Sequence, residues 1–96
     1  MIGQQEHLLR RWLEAVRPVY TPGQFLALSI IAEEANERRR CTLGHREIAR
    51  RAGVGVSTVR TAIDVAIDAQ HITIAYRSDT GQSNIIRLLP LDGSGQ

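Results

Sequence analysis

The basic residues of this sequence are the ones whose chemistry is most informative. All twelve are arginines and none is lysine. Residues 38–60 hold seven arginines and one glutamate, a net charge of +6, while residues 1–37 and 61–96 each carry −2. A guanidinium binds phosphate and guanine through two parallel hydrogen bonds, which an ammonium cannot do. A basic stretch of this kind predicts a polyanionic partner, and a solvated arginine face on a helix is the alternative.

Length and composition are typical of a small globular protein. The chain has 96 residues, of which 43% are hydrophobic and 23% charged, enough for one domain with a single core. No apolar run is long enough to cross a membrane, and the charged residues near the N-terminus argue against a secretory signal. The single cysteine, Cys41, cannot form an internal disulfide, so we expect a cytoplasmic location.

The sequence gives no support for nucleophilic or metal-dependent chemistry. Cys41 and His45 are four residues apart, but two ligands do not make a zinc site and no second pair follows. The three histidines have no serine or cysteine partner at a recognisable catalytic spacing. We therefore expect no enzymatic activity, no metal and no cofactor.

The basic stretch contains the spacing of a helix-turn-helix within residues 45–62. The pattern requires a small residue at the helix crossing, a turn residue, an apolar wedge, a helix cap and a second wedge, and these are Ala49, Gly53, Val54, Ser57 and Val59. Gly53 is expected to adopt a positive φ. Ser57 is expected to cap the second helix and leave its first turn free to enter the major groove of DNA. The pattern predicts helices at about His45–Ala52 and Thr58–Ala69.

Two further helices are predicted before this unit. An apolar stripe that includes Trp12 recurs at helical spacing over about Gln4–Arg17, and the following proline ends that helix. Thr21, Pro22 and Gln24 then form the signature of a capped helix start, in which a hydroxyl precedes a proline and a glutamine follows three residues after the cap.

Two strands are predicted after it. Apolar and polar residues alternate over residues 72–76, and a polar turn separates this segment from a second strand at about 84–89. The predicted organisation is an N-terminal helical segment at 1–20 for packing or dimerisation, a domain at 21–90 and a flexible tail at 91–96.

The order of helix, helix, short strand, helix, turn, helix and hairpin resembles a winged helix-turn-helix domain, mainly α with a small β-hairpin wing. Thr21-Pro22, residues 43–49, residues 57–59 and residues 81–84 look like the winged-helix module of bacterial plasmid and phage replication and regulatory proteins. The resemblance covers about residues 21–89. It implies DNA binding, with the recognition helix in the major groove and the wing beside it.

Two features depart from that family's usual pattern. Gln70 and His71 stand where a glycine and a bulky apolar residue usually follow the recognition helix, and a positive φ at Gln70 would cost about 1 kcal/mol. Asp64 and Asp68 lie on the outward side of the helix, where basic residues are common. Asp64 is expected to pair with Arg60 one turn earlier or to accept a hydrogen bond from a cytosine amino group.

The candidate DNA contacts are Arg46, Arg50, Ser57, Thr58, Arg60, Thr61, Arg77 and Gln82. Arg60 is expected to bind a guanine through two hydrogen bonds. Arg46 and Arg50 are expected to hold phosphates, or else to form a solvated face. Arg77 and Gln82 are placed on the predicted wing, where they would touch the DNA backbone or the minor groove.

The first helix raises the question of oligomeric state, because its apolar stripe is wider than a thin core of three helices needs. It is expected to pack on its own domain or to pair with a second copy in a twofold homodimer that reads a palindrome. Val65 and Ile67 on the recognition helix also lack an evident role in the core.

Together these patterns predict a cytoplasmic, prokaryotic-type protein that binds specific sequences of double-stranded DNA. It would act as a small transcriptional regulator of a mobile element or phage. One alternative is an accessory replication factor that binds a plasmid or phage origin. Another is a winged helix used for protein–protein interaction.

Overall fold

The computed structural model describes the backbone of residues 2–77 and 84–91, and the side chains of residues 7–75 and 85–91. In this part of the chain, four α-helices precede one antiparallel β-hairpin, an arrangement compatible with a winged helix. The elements are α1 (Ile2–Val16), α2 (Pro22–Arg38), α3 (His45–Ala52), α4 (Val56–Asp68), β1 (Ile72–Arg77) and β2 (Asn84–Leu88).

The start of α2 follows the sequence prediction. A short 3-10 helix, Arg17–Val19, links α1 to it. The Thr21 hydroxyl accepts a hydrogen bond from the backbone N–H of Gln24 at 3.2 Å, and the Gln24 side chain accepts one from the Thr21 N–H at 3.1 Å. This reciprocal capping box, together with Pro22 at the first helical position, satisfies two backbone donors that the helix leaves unpaired and confirms the predicted helix start.

The core lies around α2, which contacts α1, α3, α4 and β2. The largest fully buried side chains come from nearly every element, and they are Val16, Leu28, Ile31, Cys41, Ile48, Val59, Ile72 and Ile86. Val65 is half-buried and packs against this core, so the expectation that it has no core role is wrong. Ile67 does remain exposed.

α1 packs on its own domain, the first of the two alternatives that its apolar stripe allows. The indole N–H of Trp12 donates a hydrogen bond to the carbonyl of Leu89 at 2.9 Å, across 77 residues of sequence. The same ring meets the His71 ring edge to face, with centroids 6.2 Å apart. Val16 is fully buried, whereas Leu8 at the outer part of the helix is 57% exposed. The segment predicted for packing or dimerisation is therefore joined to the core of the later helices.

The hairpin forms where the alternating pattern predicts it. Ile72 pairs with Leu88 and Ile74 with Ile86, and a one-residue irregularity follows Ile74. Cys41, in the connection between α2 and α3, forms an isolated bridge with Ile86 through two backbone hydrogen bonds of 2.8 and 2.9 Å. This bridge ties the beginning of the α3–α4 region to the hairpin that follows it.

The exit from α4 has the left-handed conformation that glycine most often adopts after the end of a helix. Gln70 has a φ of 63°. Its N–H bonds to the Ile67 carbonyl at 3.0 Å, and the His71 N–H bonds to the Ala66 carbonyl at 2.8 Å. These two bonds are those of a Schellman motif, which satisfies carbonyls at the end of a helix. The glutamine therefore holds the same exit geometry, at the conformational cost of a side chain at positive φ.

Candidate nucleic-acid interface

The turn between α3 and α4 has the geometry that the sequence spacing predicts. Gly53 has a φ of 74°, and the N–H groups of Gly53 and Val54 both bond to the Ala49 carbonyl, at 2.9 and 3.1 Å. Ala49 is only 6% exposed and Val59 is fully buried, while Val54 packs against the core. A Cβ atom added at Gly53 would meet no atom within 4 Å. The glycine is therefore required by its backbone conformation and not by lack of space.

The predicted cap of α4 is wrong. The helix begins at Val56, with Gly55 as the N-cap residue at φ −79° and ψ 160°, and no side chain caps it. Ser57 lies inside the first turn with its side chain exposed. Because Val56 packs against the core one turn before Val59, the earlier start gains apolar burial in place of the roughly 1 kcal/mol that a serine cap provides.

The first turns of α4 expose Ser57, Arg60 and Thr61. The Thr61 hydroxyl donates a hydrogen bond to the Ser57 carbonyl at 2.9 Å, so in this conformation it can offer a ligand only an acceptor. Thr58 is half-buried, and its methyl carbon lies 3.4 Å from where a Cβ on Gly23 of α2 would stand. Thr58 thus contributes to the contact between α2 and α4, and Arg60 is the basic side chain that this helix presents to solvent.

Arg60 and Asp64 do not form the expected ion pair in the part of the chain that the structure describes. Both side chains are exposed, although they lie one turn apart. An ion pair between two solvated side chains is worth only about 0–1 kcal/mol, so water competes with it. Arg60 is therefore available to an external partner, and so is the carboxylate of Asp64.

The arginines of α3 differ in their surroundings. Arg46 is exposed and makes no ion pair with another described side chain. Arg50 binds Glu47 through two hydrogen bonds, Nε to Oε1 at 3.1 Å and Nη2 to Oε2 at 2.6 Å. Arg51 binds the same carboxylate through Nε to Oε2 at 2.7 Å. These bonds from Arg50 and Arg51 lower the pKa of Glu47 to about 2.

This carboxylate belongs to a longer chain of charges that joins α3 to α2. Arg51 also approaches Glu34, with Nη1 and Oε1 3.5 Å apart, and Glu34 pairs with Arg38 at 3.1 Å. The sequence reasoning did not identify this network. The spacing of Glu47 to Arg50 and Arg51, at i+3 and i+4, is a recognisable signal, but the approach of Glu34 depends on how the two helices pack.

The network reduces the number of unpaired arginines in the basic stretch of residues 38–60. Three of its seven arginines share two carboxylates, so part of the positive charge is neutralised locally. Arg39 and Arg40 are exposed at the end of α2, where Arg39 has a φ of 69°. With Arg46 and Arg60, they are the arginines of this stretch that have no ion pair among the described residues.

The candidate contacts on the hairpin are less defined. Arg77 is the last residue of β1, opposite Asn84 at the beginning of β2. Its side chain is not among those the structure describes, and Gln82 lies outside the described residues. Arg77 therefore lies at the end of β1, next to residues 78–83 that connect the two strands.

A second polar cluster joins Tyr20, which follows the 3-10 helix after α1, to His71, which lies between α4 and β1. The Tyr20 hydroxyl and the Nδ1 atom of His71 are 2.7 Å apart, and their rings are in contact. Burial lowers the pKa of His71 and raises the pKa of Tyr20 to about 12. Both shifts favour the neutral forms of the two groups, which is consistent with a structural hydrogen bond.

The described residues contain no group of three or more histidine, cysteine, aspartate or glutamate side chains that could hold a metal ion. None of the helices in this part of the chain combines the length and the apolar character needed to cross a membrane.

Comparisons with protein-family models, with curated proteins and with solved structures found no match to this chain. The geometry and charge of α3, α4 and the hairpin are therefore the features that bear on function.

Proposed function

We propose that this chain is a winged helix-turn-helix protein that binds specific sequences of double-stranded DNA. In this proposal α4 is the recognition helix and the hairpin of β1 and β2 is the wing. The observation that carries it is the α3–α4 unit, whose turn at Gly53 buries Val59 while Arg60 and Thr61 remain exposed. A recognition helix needs this combination of a buried inner face and an exposed outer face.

The charged residues divide into two roles in such a complex. Arg46, in the first turn of α3, and the exposed arginines at the end of α2 would bind phosphates and position the domain without reading sequence. Arg60 would read a guanine, because its guanidinium has no ion pair within the described residues and projects from the start of α4. Bound protein would then act by occupancy, blocking or recruiting other machinery at the site.

The biological setting that fits best is a small cytoplasmic transcriptional regulator of a prokaryotic mobile element or phage. Binding to a replication origin would use the same surface. Interaction with another protein is the candidate from a different class, favoured by the exposed carboxylates of Asp64 and Asp68 on α4. A homodimer is a further proposal, and a palindromic binding site would support it.

The test is a fluorescence-anisotropy titration of a randomised duplex pool at two salt concentrations, with the bound fraction sequenced. We expect affinity that falls steeply with salt and an enriched sequence motif. Arg60→Ala should reduce discrimination for the guanine it reads by about 1–3 kcal/mol, or roughly 5- to 150-fold. Arg10→Ala, an exposed position on α1, is the matched control.

Two results would contradict the proposal in different ways. Failure to bind the pool at low salt would refute DNA binding and favour a protein partner. Binding with an unchanged motif in the Arg60→Ala protein would refute the role given to Arg60 while leaving DNA binding intact.

A further inference from the structure

We propose that Glu47 sets the affinity of this surface for DNA, because its carboxylate occupies the guanidinium of Arg50 that would otherwise bind a phosphate. The inference rests on the proposed function. It concerns a residue that is itself acidic and would lie within the DNA-binding surface, and it acts there through Arg50.

The geometry of the Arg50 pair carries the inference. Nε and Nη2 of Arg50 each donate to a different oxygen of Glu47, at 3.1 and 2.6 Å. This is the two-point arrangement by which an arginine also binds a phosphate, so Glu47 and a phosphate compete for the same donors. The Arg50 side chain is 70% exposed, so a phosphate could approach it from solvent.

Arg51, unlike Arg50, pairs with a second carboxylate in addition to Glu47. This difference determines how many arginines lose their ion pair when Glu47 is neutralised. The Arg51 side chain is 42% exposed and lies between two carboxylates, Glu47 at 2.7 Å and Glu34 at 3.5 Å. Removing the charge of Glu47 leaves Arg51 with the carboxylate of Glu34, but it leaves Arg50 with no carboxylate partner among the described side chains. The structure therefore predicts that neutralising Glu47 releases one arginine, not two.

A phosphate contact is common to every DNA sequence. Release of Arg50 should therefore raise affinity for all duplexes alike and leave the preferred bases unchanged. Arg60, which is not part of the network, should read the same bases in either protein. By this reasoning Glu47 limits sequence-independent binding in the wild-type protein.

The experiment compares Glu47→Gln with Glu33→Gln in the whole chain of 96 residues. Both substitutions remove one negative charge, but Glu33 is exposed on α2 and has no ion pair among the described residues. Affinity for a 20-base-pair duplex of random sequence would be measured between 50 and 200 mM salt. One additional phosphate contact should make the slope of log K against log salt more negative by about 0.9 in Glu47→Gln. Its advantage over wild type should then shrink about 3.5-fold across that range.

Arg50→Ala completes the test and separates the proposal from an effect on α3 itself. In the Arg50→Ala background, Glu47→Gln should produce no more change than Glu33→Gln does. Thermal melting of each protein identifies any loss of fold, which would weaken binding and not strengthen it. An unchanged salt slope in Glu47→Gln, or a gain that survives in Arg50→Ala, would overturn the role of Glu47 while DNA binding by the wild type stands. Absence of binding by the wild type would overturn the proposed function as well.

Discussion

The turn between α3 and α4 allows a stability prediction whose magnitude comes directly from the backbone. Gly53 has φ 74° and ψ 32°, and a Cβ there would meet no atom within 4 Å. The cost of Gly53→Ala is therefore conformational, about 1–2 kcal/mol for a side chain in the left-handed region. Restricting the unfolded chain returns about 0.4–1 kcal/mol, so we expect a net loss of about 1 kcal/mol.

Gln70, at the end of α4, allows the reverse test, in which a residue with a side chain at positive φ is replaced by glycine. Gln70 already has a side chain at φ 63°, is exposed, and makes its hydrogen bonds through the backbone. Gln70→Gly should remove the left-handed penalty while making the unfolded chain more flexible. The expected net gain in the free energy of unfolding is about 0.5 kcal/mol.

Urea denaturation followed by circular dichroism would measure both free energies, with Ser57→Ala as the control. Ser57 is exposed in the first turn of α4, and its side chain does not cap this helix. This variant should remain within about 0.5 kcal/mol of wild type. If Gly53→Ala is as stable as Ser57→Ala, the turn does not require its left-handed residue and the reasoning is refuted.

Two further predictions concern the junction of α1 with the hairpin. Trp12→Phe should lower the free energy of unfolding by about 1–3 kcal/mol, because the Leu89 carbonyl loses its donor in a partly buried site. A melting temperature equal to that of wild type would show that this bond contributes nothing. Burial lowers the pKa of His71, so the unfolded chain binds a proton that the folded one does not. Stability should be full above pH 6.5 and fall as the pH drops through 6.5 toward the lowered value. Denaturation at pH 5 and 8 should show a smaller difference in His71→Gln, and an equal difference would contradict this assignment.

Local signals in the sequence predicted much of this fold. Thr21 and Gln24 specify a helix start by themselves, because both partners of the capping box lie within one turn. Gly53 likewise specifies a turn through its own backbone freedom. Such features depend on residues close in the chain, and the structure has them where the sequence places them.

The errors arose where local preference competed with packing. Ser57 is a better cap than Gly55 in isolation, yet the helix begins earlier because Val56 reaches the core from its first turn. The packing of Val65 cannot be predicted from its own helix, because the core that it contacts is built from several elements. The Trp12 hydrogen bond joins residues 77 apart, and no spacing rule predicts its partner.

The candidate site shows the same division. Exposure of Arg60 could be predicted from helical periodicity, whereas its independence from Asp64 could not, because an exposed ion pair has almost no free energy to enforce it. The contact of Arg51 with Glu34 requires α2 and α3 to be placed side by side. Net charge over a stretch of sequence therefore overstates how many arginines are free to bind an anion.

The bridge between Cys41 and Ile86 makes the only thiol of the protein a reporter of local opening. Cys41 is fully buried, and burial raises the pKa of its thiol. A thiol reagent can therefore react only in molecules where the connection before α3 has separated from β2. When reclosing is faster than labelling, the labelling rate gives the free energy of that separation at a single site, in the native sequence. Repeating the measurement with DNA present would show whether a bound ligand slows the opening of the bridge between Cys41 and Ile86.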